Sequence, residues 1–312
     1  MLLTNATRRQ LYPCLPRELR IVELGVLRGD NARRIIEACA PSALVLVDAW
    51  APIRHSDLPH LDAREYEHLR DVGRPYFGGE IDDPATHERI FETCKRNLAG
   101  FDSVELEFVR MPTREFLTSG AGAARAPFDV AYVDANHQYE GVLSDIHGVL
   151  PLVREGGLVW LNDASINARA FEQRMGVLQA AVTAVKLFGL VPLVVTNDLN
   201  ADLVLWRPSP QRDCAGLRFL AALEQLDHDF YELPSDALGA YNQRIPFGFR
   251  ERLVTSLCTE RARPLESAEL AAQVELERDA LTPQRRRNVP ARKIALAQFV
   301  ASTRGLWRSL VR

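Results

Sequence analysis

The string Asp134-Ala135-Asn136-His137 sets an acid and an imidazole three positions apart at the end of an apolar run, Phe128 to Val133. An imidazole titrates near neutrality, so His137, just beyond Asp134, can take a proton from a hydroxyl. The next apolar run, Gly157 to Leu161, ends in Asn162-Asp163. Asp134, Asn162 and Asp163 together offer three hard oxygen ligands of the kind Mg²⁺ prefers. Such an ion would hold a hydroxyl and lower its pKa. A plainer role stands beside this one, since Asp134 and Asp163 each suit the N-cap of a following helix. Asp145 and His147 fall in the next helical pattern and face solvent or a packing surface.

A second loop carries different chemistry. Glu23-Leu24-Gly25-Val26-Leu27-Arg28-Gly29-Asp30-Asn31 leaves one apolar run and enters a helical pattern. Gly25 permits a sharp turn and a close approach to a ligand, and Gly29 permits tight packing at the helix start. The spacing lacks the central glycine of the GxGxxG fingerprint that cradles a dinucleotide pyrophosphate. An acid ahead of the first glycine suits a cationic ligand, such as an amino-acid ammonium. Asp48 ends the following apolar run and can accept from both hydroxyls of a ribose. Trp50 stands where it can stack beside a base or simply pack.

Positioning these groups is the task of an alternating pattern. RIVEL, ALVLVD, VELEFV, FDVAYVD and GLVWLND read as strands, several apolar throughout, as parallel strands covered on both faces must be. Helical stretches such as NARRIIEACA and THERIFETCKRNLA lie between them. This alternation predicts an α/β fold with a doubly wound, mostly parallel sheet of seven strands. LVPLVV and ADLVLW, joined by the short NDLN turn, predict an antiparallel hairpin at one sheet edge. Residues 1–207 form one domain on this reading, and residues 208–312 a helical C-terminal extension. Residues 51–84 replace a short crossover with a Pro-, Gly-, His- and Asp-rich insertion that reads as a lid. Its His55, Asp57, His60 and Asp62 are spaced loosely and read as solvated lid residues in preference to a second metal cluster. From Arg285 onward the extension carries Arg285, Arg286, Arg287, Arg292, Lys293, Arg304, Arg308 and Arg312 with no acid. A terminal helix docking on the domain or on a partner subunit is preferred there to a membrane-surface or anion-binding helix.

ELGVLRGDN resembles the ExGxxxGxS/N loop of class I S-adenosylmethionine-dependent methyltransferases, with Asn31 as its last residue. VDANHQYEGV is similar to the VDGxHxYEGV segment of the branch that modifies sugars and antibiotic scaffolds. The resemblance spans about residues 20–207 and implies a Rossmann-like domain. It also implies that Glu23, Gly25 and Gly29 line the methionine moiety, that Asn31 belongs to the same cofactor site, that Asp48 binds the ribose, and that Arg110 and Met111 lie near adenine. It sets DANH against the DADK of catechol-type enzymes, so His137 stands where those carry a catalytic lysine. LNDAS stands at their Asp-Asn metal pair with the order reversed, and Mg²⁺ is implied only as an optional partner. Non-methylating relatives of the cephalosporin-hydroxylase type share similar motifs.

Composition narrows the partners. The 312 residues carry a net charge of −3, which gives no basic face for nucleic acid. No apolar run has the length of a membrane span, and the N-terminal stretch lacks the apolar core of a signal peptide. The five cysteines are scattered without a CxxC pair, which fits a reducing cytoplasm. The expected function is methyl transfer from S-adenosylmethionine to a hydroxyl of a small natural-product or sugar-like acceptor. His137 is the expected base and a homodimer the expected assembly. An N-methyltransferase of the same fold, a hydroxylase-like relative and a binding subunit are the alternatives.

Overall fold

Aliphatic runs that no solvent-facing strand would tolerate form the centre of a single sheet. In the computed structural model, which describes residues 1–58, 61–165, 175–196, 201–211, 213–233 and 263–280, the first strand is the short β1, Leu2–Thr4. The five predicted central strands follow as β2 (Arg20–Leu24), β3 (Ala43–Asp48), β4 (Glu105–Arg110), β5 (Phe128–Val133) and β6 (Val153–Leu161). They run parallel in the order β4-β3-β2-β5-β6. Helices α1 (Arg8–Leu11), α2 (Asp30–Cys39), α3 (Ala63–Phe77), α4 (Pro84–Leu98), α5 (Thr113–Thr118) and α6 (Tyr139–Val149) lie before and between these strands. Succession moves outward from β2 through β3 to β4, then returns to the other side of β2 at β5. At such a reversal the loops leaving the two strands part, and their carboxyl ends open a crevice.

The hairpin forms as β7 (Val191–Thr196) and β8 (Leu203–Trp206), with helix α7 (Val177–Phe188) before it. β8 pairs antiparallel with β6. Three further strands correct the expected count of seven. β1 pairs parallel with β7, β9 (Phe230–Glu232) pairs antiparallel with β1, and β10 (Arg263–Leu265) pairs with β9. The described sheet therefore has ten strands, and the hairpin sits inside it, not at its edge. Strands of three residues hold too few alternations to register as a period, which is why the sequence hides them. The described part of the extension is not purely helical either, since it supplies β9, β10 and helix α8 (Ala215–Leu223). Phe219 of α8 packs 5.8 Å from Trp160 of β6, so this segment shares the main core. The NDLN turn and the basic run from Arg285 lie outside the described residues.

One face of the sheet buries Tyr12, Trp160, Trp206 and Phe219; the other buries Phe116, Phe128, Ile146 and Leu161. Each large side chain so buried stabilises the fold by about 2–3 kcal/mol. The insertion is a folded element. Asp62 caps α3 by accepting from the Arg64 and Glu65 amides, and Glu65 accepts from the Asp62 amide in return. Its neighbours Asp57 and His55 also serve local turns, through the Arg54 amide and the Leu61 carbonyl. His60 lies outside the described residues. Arg28 donates to the Tyr76 carbonyl at 2.6 Å, tying the end of α3 to the loop after β2.

That loop depends on two glycines for different reasons. Gly25 has φ +84°, and a Cβ there would lie 2.2 Å from the Asp134 carbonyl oxygen. Gly29 has φ +74°, but its Cβ would meet the Cys94 and Leu98 side chains, which can shift. Gly29→Ala should therefore cost about 1–3 kcal/mol of left-handed strain and repacking. Gly25→Ala should cost more than about 4 kcal/mol or abolish the cooperative transition, because backbone cannot yield. Urea unfolding of the two variants checks this, and equal losses would refute the distinction.

Candidate active site

Both loops named by the sequence leave the strands that flank the reversal. After Leu24 the chain bends over Gly25 and Leu27, the latter at φ +53°, before Gly29 opens α2. Asp48 holds this bend. Its Oδ2 accepts from the amides of Val26 and Leu27, both at 2.9 Å, and its Oδ1 from that of Trp50 at 2.9 Å. A carboxylate has roughly four acceptor positions, so one remains for another donor. Trp50 is 2% exposed, donates to the Leu27 carbonyl at 2.8 Å and packs 4.7 Å from Phe91. It buttresses the loop and presents no open face to a base. Arg110 donates to the Trp50 carbonyl and pairs with Glu88 at 2.7 Å, while the Met111 amide donates to the Asp48 carbonyl.

Glu23 is wholly buried. Its Oε1 accepts from Asn31 at 3.0 Å, and Asn31 in turn accepts from the Tyr12 hydroxyl. Oε2 has no partner among the described residues. Burial pushes this carboxyl up to about 8, against the pull of the Asn31 bond and with help from the charges of Asp134 and Asp48.

Across the crevice the Asp134 amide donates to the Leu24 carbonyl at 2.8 Å, which fixes β5 against β2. His137 Nε2 stands 3.2 Å from Asp134 Oδ1 and 3.4 Å from Asp163 Oδ2, the spacing of an ion pair with both. Burial pulls the imidazole pKa down, but the two carboxylates and a contact with Asn162 outweigh it, so the value is raised. Burial also raises Asp134, partly offset by His137. Asp163 holds a left-handed φ of +55°, which turns its side chain toward this cluster at the end of β6.

The structure thus brings Asp134, His137 and Asp163 together and sets Asn162 beside them. It does not arrange Asp134, Asn162 and Asp163 as a metal trio. Both acids face the imidazole, and the Asn162 amide donates to Asp202 at 3.0 Å. Among the described residues no group of three or more His, Cys, Asp or Glu side chains is placed to hold an ion. The arrangement of the described residues gives Mg²⁺ no support.

Four residues of this region escaped the sequence reading: Arg8, Tyr12, Tyr132 and Asp202. Asp202 lies wholly buried at the head of β8, where it accepts from Tyr132 at 3.0 Å, Trp160 at 2.7 Å and Asn162. Arg8 stands 3.6 Å from it. An acid directly before the apolar LVLW was the available signal, because a charge in such a place is buried only when paired.

The Glu23 geometry gives a pH test. A carboxyl raised from 4.5 to about 8 in the fold keeps its proton where the unfolded chain has lost it. Its contribution to stability therefore falls as pH rises between those values. The stability difference between wild type and Glu23→Gln, from urea midpoints, should move against wild type across that window. A difference independent of pH would contradict it.

Residues 22–164 match a family model described as a methyltransferase domain, and the matched span carries both loops. Over that span the chain is similar to a methyltransferase domain. No curated protein matches the chain. Among solved structures, the O-methyltransferase NovP is 19% identical, covering 64% of this chain and 77% of its own, with a TM-score of 0.40. A putative caffeoyl-CoA O-methyltransferase from Staphylococcus aureus is 12% identical, covering 64% and 80%, at 0.39. Fibrillarin from Aeropyrum pernix, solved with bound S-adenosyl-L-methionine, is 17% identical, covering 62% and 68%, at 0.36.

Proposed function

We propose that the chain transfers a methyl group from S-adenosylmethionine to a hydroxyl of a small molecule, with His137 as the general base. The observation that carries this is the seating of His137 between two carboxylates at the reversal, beside a glycine loop that follows a buried acid with one unpartnered oxygen. S-adenosylmethionine supplies an electrophilic methyl group when bound. Glu23 fits its ammonium, because Oε2 is buried and free of any described partner. Asp48 shapes the loop through three backbone amides and keeps one acceptor position for a ribose hydroxyl. Gly25, Gly29 and Asn31 complete the loop, while Arg110 and Met111 hold the Asp48–Trp50 turn from the β4 side.

On this reading the acceptor hydroxyl meets His137, which takes its proton as the oxygen gains its bond to carbon. Asp134 and Asp163 steady the imidazolium that results. The two acids act through the base and not as metal ligands. Positioning does much of the remaining work, since the donor is already reactive. The α3 insertion, tied to the loop through Arg28, is the element assigned to acceptor selection on this reading.

A neutral imidazole is the working form, and its pKa is raised, so kcat/KM should climb with pH through a midpoint above the ordinary value of 6.5. Asp163→Asn removes one stabilising charge and should move that limb to lower pH. His137→Gln should lower kcat by about 10²- to 10⁴-fold. Radiolabelled methyl transfer to a panel of hydroxylated acceptors measures all three. Full activity in His137→Gln would overturn the assignment of the base.

A further inference from the structure

We propose that Tyr12 is a positioning residue of this site, holding the Asn31 amide in the orientation that presents Glu23 to a cationic ligand as an acceptor. Tyr12 opens the short turn Tyr12–Cys14 after α1 and is 1% exposed. Its ring is wedged 5.2 Å from that of Trp160 and 6.3 Å from that of Tyr132, so the hydroxyl has little room to swing. Two acceptors lie within its reach: Asn31 Oδ1 and, at 3.3 Å, the Tyr132 oxygen. A phenol has one proton to give. The Tyr132 oxygen already receives the Arg8 guanidinium at 3.4 Å, and Tyr132 gives its own proton to Asp202 Oδ2 at 3.0 Å. Asn31 is the closer acceptor, and it takes the Tyr12 proton.

That proton sets the amide. The two orientations of an amide differ in which atom donates, so its neighbours choose between them. With Oδ1 taking the Tyr12 proton, Nδ2 faces Glu23 and donates to Oε1 at 3.0 Å. Oε1 is thereby fixed as an acceptor, and Oε2 is the atom left without a described partner. A turned amide would set its own oxygen against Oε1, a contact satisfied only if Glu23 kept a proton there. Burial favours such a proton, as do the charges of Asp134 and Asp48, while the Asn31 bond and Arg8 oppose it. Cys94 and Tyr12 are the other titratable groups close to this acid. The Tyr12 bond weights the balance toward a carboxylate, the form that attracts an ammonium. Tyr132 lies in register with Glu23 on the neighbouring strand, and the hydrogen bonds run in one line from Glu23 through Asn31, Tyr12 and Tyr132 to Asp202. Neither strand period nor glycine spacing marks Tyr12; it reaches the loop from the turn after α1.

The choice of ligand rests on the methyl-transfer reading; the hydrogen-bonded line does not. Calorimetric titration of the full chain should compare S-adenosylhomocysteine with its deamino analogue, which keeps the carboxylate, thioether and nucleoside and lacks only the ammonium. Wild type should bind the first more tightly by roughly 10- to 100-fold, the size of a hydrogen bond to a charged group. Tyr12→Phe keeps the ring and removes the proton. It should lose roughly 10-fold in affinity for S-adenosylhomocysteine and stay within about twofold for the analogue. Asn31→Ala should behave in the same way, and the double variant should be no worse than Asn31→Ala alone. Equal losses for the two ligands would mark Tyr12 as structural only and overturn the proposal. Unchanged S-adenosylhomocysteine affinity in Tyr12→Phe, or multiplying losses in the double variant, would overturn it too. Wild-type NMR tests the bond without a variant, which covers the case in which Tyr12→Phe does not fold: the Tyr12 hydroxyl proton should be visible and protected from exchange. An unprotected proton refutes the Tyr12–Asn31 bond whatever the chain binds. Wild type that binds both ligands equally refutes the proposal alone. Wild type that binds neither, with the proton protected, refutes the methyl-transfer reading and the ligand half of the proposal with it.

Discussion

Everything at the site depends on how closely β2 and β5 approach at their carboxyl ends. The Asp134 amide bonds to the Leu24 carbonyl, and Gly25 passes so near the Asp134 backbone that no side chain fits between. This contact fixes the relative height of the two loops. With a bulkier residue the strands would part, and the relative height of the two loops would change. A single hydrogen bond is worth about 1 kcal/mol in net stability, but here its direction matters more than its energy.

Around that contact the crevice collects carboxyls: Glu23, Asp48, Asp134, Asp163 and Asp202. Burial raises Glu23, Asp134 and Asp202. Taking charge out of water is costly unless it is paired, and each acid meets that cost differently. Asp48 spends its oxygens on loop amides, Asp202 on side-chain donors and Arg8, and Asp134 and Asp163 on His137. Glu23 and Asp163 each keep one buried oxygen without a described hydrogen-bond partner. A crevice so constituted is complementary to a cation. It also explains why the imidazole binds its proton more tightly than a free histidine despite its burial.

The central sheet was legible because its strands are apolar on both faces and separated by helical runs of ordinary length. RIVEL and ALVLVD were bounded correctly to the residue. The glycine loop, Asp48 and the Asp134–His137 pair were legible because each lies at a strand end. Three things were not. Strands of three residues, such as Leu2–Thr4, carry no period. Asp163 was readable as a cap or ligand, whereas its left-handed backbone turns it to the histidine. Asp202 and Arg8 join the site only through pairing of strands remote in sequence, which no local pattern encodes. Trp50 shows the converse. Its position suggested a base-stacking face, and packing against Phe91 removes that face.

The most direct test of the account is calorimetric titration of the full chain with S-adenosylhomocysteine, beside an Asp48→Ala variant whose melting confirms that it folds. The account predicts binding of about micromolar strength in the wild type. It predicts that the heat disappears in the variant, because the loop amides lose their anchor and the nucleoside its acceptor. No heat in the wild type at high ligand concentration, or undiminished binding in Asp48→Ala, would contradict it.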